Sequence, residues 1–238
     1  MEKFVFNQNY VNLIPGMPMA YWFSKNVLLG FKNNKICDYS YNKAGVVSGD
    51  DNYFVRCWYE IKYPEICFYP MNKTSYSKYH IFCKGGDFRR YYGNYLHVIK
   101  LRDLYDPNCY NRSIRRGDQD SYFKKCISWS IIGSLQKKSF RLVEHSVCGT
   151  ASPSIFIKDD SLLFYFLGLL NSKYSEIILS AINPTLNLQS SDVGAIPVCL
   201  EKESVDLPSL KAKDNFSICK QDWDSFETSW EFKKHPLI

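Results

Sequence analysis

Residues 84–94 read KGGDFRRYYGN, and their types suit one kind of chemistry. Gly85 and Gly86 free the backbone to turn and let a partner approach closely. Arg89 and Arg90 follow, and guanidinium forks pair with phosphates or with guanine edges. Tyr91 and Tyr92 beside them can stack or donate a hydroxyl. The alternative is a solvated hairpin with an arginine pair on its rim, because charged pairs on turns are common. Further basic clusters lie nearby: Arg112, Arg115 and Arg116; Lys124 and Lys125; Lys137, Lys138 and Arg141. Tyr95, Tyr110, Tyr122, Phe123 and Trp129 are interleaved with them. Residues 72–141 hold 15 Lys and Arg against 5 Asp and Glu, in a chain of 238 residues and net charge +6, so the remainder is net acidic. That asymmetry fits a polyanion facing the middle of the chain.

Other chemistries find little support. His80, His97, His145 and His235 are scattered, with no HxH or HxxxH spacing. Neither a GxxxxGK[ST] nor a GxGxxG pattern occurs. The 9 cysteines are widely spaced, with no CxxC pair and no zinc-knuckle arrangement. Their odd number and spacing fit reduced thiols packed as small hydrophobes. Amino-methyltransferases acting on DNA use an Asn/Asp-Pro-Pro-aromatic loop to hold the exocyclic amine of a flipped base. Here Asp106 with Pro107, and Asn183 with Pro184, each lack the second proline.

The elements that position these residues follow from periodicity. A hydrophobic content of 45% allows a real core. Residues 1–14 read as an extended lead-in and 20–31 as a helix. A loop at 48–52 leads into a strand over 54–61, and 62–82 reads as an irregular loop or edge strand. Short strands are expected at 97–101, 127–132, 140–147 and 154–157, with a loop and one helical turn over 103–120. The clearest helix covers 162–182; Asp159, Asp160 and Ser161 offer N-cap chemistry, and Asn183 before Pro184 ends it. Residues 201–215 are charged and poor in aromatics, a linker signal. Residues 219–234, with Trp223, Phe226 and Trp230, suggest an amphipathic turn or helix. The apolar run at 162–170 is shorter than the roughly 20 residues a membrane span needs, and residues 1–10 do not read as a signal peptide. A cytoplasmic protein with no membrane partner is expected.

Seven blocks in order carry a more specific likeness: IPGMPMAYWFS (14–24), AGVVSGDDNYFVRCWYE (44–60), KGGDFRRYYGN (84–94), ISWSIIGS (127–134), FLGLLNSK (166–173), INPTLNLQSSDVGAIPV (182–198) and DWDSFETSWEFKKHPL (222–237). Together they resemble the target-recognition region of the adenine-specific DNA methyltransferases of BREX phage-defence systems, the PglX family. That family is in turn similar to the specificity domains of type IIG restriction-modification systems. The resemblance covers essentially the whole chain. It implies N6 methylation of adenine within a short asymmetric site, with S-adenosylmethionine as the cofactor of the full-length enzyme. The family's catalytic and cofactor motifs lie upstream of this region. The chain is therefore expected to be a fragment with no catalysis and no cofactor of its own.

The expected fold is α+β: a curved, mostly antiparallel sheet carrying recognition loops, packed on a few helices and backed by 161–182. Residues 1–200 would form the target-recognition domain, and 201–238 a linker with the truncated start of a following helical segment. Loops 48–52, 84–94 and 108–125 would face double-stranded DNA. The candidate contacts are Asp50, Asn52, Lys84, Arg89, Arg90, Tyr91, Arg112, Arg115, Arg116, Lys124 and Lys125, with Asn52 alternatively capping a turn. The other expected partners are the catalytic portion of the methyltransferase and further BREX components. An alternative function is a protein-interaction module that docks onto a separate methyltransferase subunit through Trp223, Phe226 and Trp230.

Overall fold

The computed structural model describes residues 8–70, 77–106, 113–133 and 138–237, and alternation along short strands sets its layers. The strands are β1 (Ser40–Asn42), β2 (Val55–Cys57), β3 (Ile66–Cys67), β4 (Tyr79–Cys83), β5 (His97–Ile99), β6 (Cys126–Trp129), β7 (Phe140–Val143), β8 (Val147–Cys148) and β9 (Ser154–Ile157). They form two sheets rather than the one expected. The first runs β1-β9-β6-β7 and is antiparallel throughout. The second runs β2-β5-β4, also antiparallel. The far edge of its β4 is shared by two short parallel partners, β3 beside Tyr79 and His80 and β8 beside Phe82 and Cys83.

Side chains two apart on a strand share a face, and this explains the division of the core. Ile127 and Trp129 of β6, Phe140 and Leu142 of β7, and Ile155 and Ile157 of β9 face the helices. Cys126, Val143 and Phe156 point the other way, onto Tyr79, Ile81 and Cys83 of β4 and Val98 of β5. The opposite face of the second sheet, Val55, Phe82, Ile99 and Val147, is covered by Phe54, Leu104 and Tyr122 from the loops. All five residues of β4 are buried, so part of the segment read as an irregular loop or edge strand is a central strand.

The helices are α1 (Lys25–Gly30), α2 (Ile36–Tyr39), α3 (Asp51–Phe54), α4 (Leu163–Leu170), α5 (Lys173–Ile182), α6 (Ser190–Gly194) and α7 (Lys202–Asp224). The helix expected over 162–182 is two helices bent by 72°. Asn171 and Ser172 break it because their side chains compete for backbone groups. Ser172 caps α5 by accepting from the Ser175 N–H, and Asn171 turns inward to β7. No single helix among the described residues is long and apolar enough to cross a membrane. α1 is shorter than expected because Ser24 caps it, accepting from the Val27 N–H. The strand expected over 54–61 is only β2, preceded by α3 and followed by a 3-10 turn, Trp58–Glu60.

The largest correction concerns 201–215, which is helix rather than linker. It forms the first part of α7, with Pro208 inside it. Val205, Ala212, Phe216 and Trp223 face the body. The close approach to α4 depends on small residues: a Cβ on Gly168 would sit 3.2 Å from the Ala212 Cβ. Residues 8–13 are a 3-10 helix rather than extended chain, and 1–7 lie outside the described residues.

Candidate nucleic-acid interface

The loop at 48–52 is built by local capping. Asp50 caps α3, its carboxylate accepting from the Tyr53 N–H at 3.2 Å. Ser48 donates its hydroxyl to Asp51. Asp51 then pairs with Lys84 at 2.7 Å, tying this loop to the start of the glycine hairpin. Just before it, Val47 and Arg115 exchange both backbone hydrogen bonds, at 2.8 and 2.9 Å. Three sequence-distant segments are thus fastened into one rim carrying Asp50, Asn52, Lys84, Arg115 and Arg116.

Close backbone packing fixes the rim. A Cβ on Gly45 would lie 2.7 Å from the carbonyl carbon of Gly149, and one on Gly117 would lie 2.3 Å from the Ala44 oxygen. Gly117 also has φ +61, where side chains strain the backbone. Arg116 donates from Nε to the Leu104 carbonyl at 2.9 Å and lies 5.0 Å from the centre of the Tyr105 ring. Arg115 is exposed and makes no ion pair among the described residues. Asn52 is exposed, with its carbonyl accepting from Arg56. The rim continues to Lys124, which shares a depression with Tyr41, Lys43 and Asp120.

Several cations counted in the sequence are neutralised in the fold. Lys43 pairs with Asp118 at 2.5 Å; their mutual hydrogen bond raises the lysine pKa and lowers that of the aspartate. Lys125 pairs with Glu144 at 3.1 Å. Burial pushes the Asp51 carboxyl up, but the Lys84 ammonium and Ser48 hydroxyl outweigh it and hold the group below its ordinary value. The His97 pKa is pushed down chiefly by burial and then by the Lys84 charge, with Asp51 and Glu60 opposing.

The second half of the glycine hairpin turns away from the rim. Arg89 pairs with Asp222 of α7 at 3.0 Å and stacks 5.0 Å from the Trp223 ring centre. Gly93 leaves room for that stack, since a Cβ there would lie 2.8 Å from the Arg89 Cδ. Arg90 sits over Phe88 at 5.5 Å. Tyr91 packs against the helix-side core, and its backbone is stitched to β7 by bonds of 2.8 Å to the Phe140 carbonyl and 2.9 Å from the Leu142 N–H. Arg112 lies outside the described residues. Sequence reasoning passed over Lys43, Arg56 and Lys100, isolated cations that only the fold brings to the rim; Lys100 lies 3.9 Å from the Tyr53 ring centre. Trp223 and Trp230, on which the docking alternative rests, pack on this chain's own inter-sheet core, while Phe226 is exposed.

Gly85 and Gly86 leave β4 for a turn toward β5 rather than for a helix N-terminus, so no phosphate- or cofactor-cradling strand–loop–helix forms there. What the fold defines is an α+β module with a cationic rim flanked by tyrosines.

Two curated proteins are similar to the chain. The adenine-specific methyltransferase BrxX of Escherichia coli O9:H4 (strain HS) is 29% identical over 233 residues, which is 97% of this chain and 19% of the relative. The adenine-specific methyltransferase PglX of Lacticaseibacillus casei (strain Zhang) is 28% identical over 240 residues, 94% of this chain and 20% of that protein. The chain is thus homologous to adenine-specific methyltransferases and spans about a fifth of the length of these curated relatives. No family model matches it.

Proposed function

We propose that the chain is the DNA-sequence recognition module of a site-specific adenine-N6 DNA methyltransferase in a BREX phage-defence system. The observation that carries this reading is the gathering of loops 48–52, Lys84 and 113–118 onto one rim by the Asp51–Lys84 pair and the Val47–Arg115 ladder. Homology to two adenine-specific methyltransferases supplies the reaction class. In this reading Arg115 and Arg116 meet base edges or phosphates, Lys124 neutralises backbone charge, Lys84 holds the loop at 48–52 in place through Asp51, and Asp50 and Asn52 offer acceptors and donors to base edges. Methyl transfer from S-adenosylmethionine belongs to a catalytic portion elsewhere in the full-length enzyme.

The test is the salt dependence of duplex binding, read by fluorescence anisotropy. Each phosphate contact contributes close to one unit to the slope of log affinity against log salt. Arg115→Ala is expected either to reduce that slope by about 1, if it meets phosphate, or to relax preference at one base pair at unchanged slope, if it meets a base. Affinity that does not fall with rising salt overturns the reading.

A further inference from the structure

Away from the rim, the turn at 86–88 and the turn at 130–133 enclose a cleft of about 230 Å³. Its lips are apolar and exposed: Phe88 at 49% and Ile132 at 68% relative accessibility. Its floor is Trp129, whose indole N–H donates to the Leu188 carbonyl at 2.9 Å. Ser130 donates its hydroxyl to the Gly86 carbonyl at 2.9 Å and so clamps the two turns together. Gly86 has φ +127, and a Cβ there would lie 3.0 Å from the Asn94 side chain, so the turn depends on glycine.

The polar groups around this apolar slot have a definite pattern. Asp87 lines it and is an acceptor for an amine. Lys138 lines it too, its ammonium donating to the Thr185 carbonyl at 3.4 Å; burial pushes its pKa down, with Asp192 opposing. Such a cation gains from an anion placed beside it. The Arg90 guanidinium lies over the Phe88 ring, adding positive charge at one lip. An apolar slot with an aromatic wall, an acceptor within and cations at the mouth is complementary to a flat heteroaromatic ring bearing an exocyclic amine and joined to a phosphate.

We infer that this cleft holds a single unstacked nucleobase of the bound DNA strand, against Phe88 and Ile132, with its phosphate at Lys138. The inference rests on the DNA-recognition reading above but uses residues distinct from the rim. The cleft holds the base and performs no chemistry on it.

Two labelled duplexes of the same sequence test it by anisotropy: one fully paired, the other with a single-adenine bulge whose base is already free of the stack. Stacking on an aromatic side chain corresponds to about tenfold in affinity per base. The bulged duplex is expected to bind about tenfold more tightly. Phe88→Ala should weaken binding of the bulged duplex about tenfold and so abolish that preference; Phe88→Tyr should keep it, and Lys138→Met should weaken it. Equal affinity of the wild-type chain for both duplexes, with normal salt dependence, overturns the cleft and leaves the rim standing. A preference that survives Phe88→Ala overturns it as well. Absence of any DNA binding overturns both readings.

Discussion

Lys84, Asp51 and His97 interact at the edge of the rim, and burial is the largest influence on the His97 imidazole. His97 is half-buried, with Lys84 disfavouring its protonation and Asp51 favouring it. Its folded pKa lies below the ordinary 6.5. The unfolded chain therefore binds more protons between the folded value and 6.5, so stability rises with pH across that window and falls as pH drops below 6.5. The imidazole proton shifts in an NMR titration should report a midpoint below 6.5. Lys84→Met should move it up and Asp51→Asn should move it further down. A midpoint unmoved by either substitution would show that the three groups are not coupled. At this scale the residue types were legible but their availability was not. Lys84, Arg89 and Lys125 all read as free cations until Asp51, Asp222 and Glu144 arrive from distant segments.

At the scale of elements, Asn171 joins the bend between α4 and α5 to the edge strand β7. Its carboxamide accepts from the Phe140 N–H at 3.1 Å and donates to the Phe140 carbonyl at 2.9 Å and to the Leu167 carbonyl at 3.0 Å, all in buried surroundings. Asn171→Ala leaves the buried Phe140 N–H unpaired, worth about 1–3 kcal/mol, while the Phe140 and Leu167 carbonyls keep the Tyr91 and Asn171 N–H groups. The expected loss is about 1–3 kcal/mol in urea unfolding; a loss below about 0.5 kcal/mol would mean that water replaces the amide. Gly45→Ala drives a methyl into the Gly149 backbone and should both lower Tm and weaken DNA binding, because it displaces the chain leading to Val47. Gly30→Ala, with nothing within 4 Å of its Cβ, is the matched control and should leave both unchanged. A Gly45→Ala protein with wild-type affinity would separate the rim from this packing. Here periodicity was a partial guide. It identified a helix over 162–182 but not the break, because apolar residues resume beyond the polar Asn171, Ser172 and Lys173. It missed the first part of α7 because the buried row of Val205, Ala212 and Phe216 is sparse among charges.

For the whole molecule, α7 and the chain after it act as a latch over the inter-sheet core. Trp223 is buried, the Trp58 indole donates to the Thr228 carbonyl at 3.0 Å, and the Trp230 indole donates to the Tyr69 hydroxyl at 3.4 Å. Lys220 joins Asp224 and Glu231, and Tyr69 donates to Glu231. Burial pushes the Glu231 carboxyl up, but the Lys220 and Tyr69 hydrogen bonds outweigh it and leave the pKa below the ordinary 4.5. Its contribution to stability is therefore present above 4.5 and is lost as pH falls through the lower folded value. Tryptophan fluorescence should report release of the segment in that acid range. Glu231→Gln should remove this step and weaken the latch at neutral pH. An unchanged acid transition in Glu231→Gln would place the proton uptake elsewhere.

The sequence by itself determined the α+β class, the alternation that gives each strand two faces, and the concentration of basic residues in the middle third. These depend on residue type and on spacings of two to four residues, which are local. Only the tertiary structure decided that there are two sheets, that β4 lies at the centre of one, and that the glycine hairpin divides its arginines between α7 and a cleft. Those outcomes depend on which carboxylates, carbonyls and rings approach from far along the chain, and pairing at a distance leaves no periodic trace in the sequence.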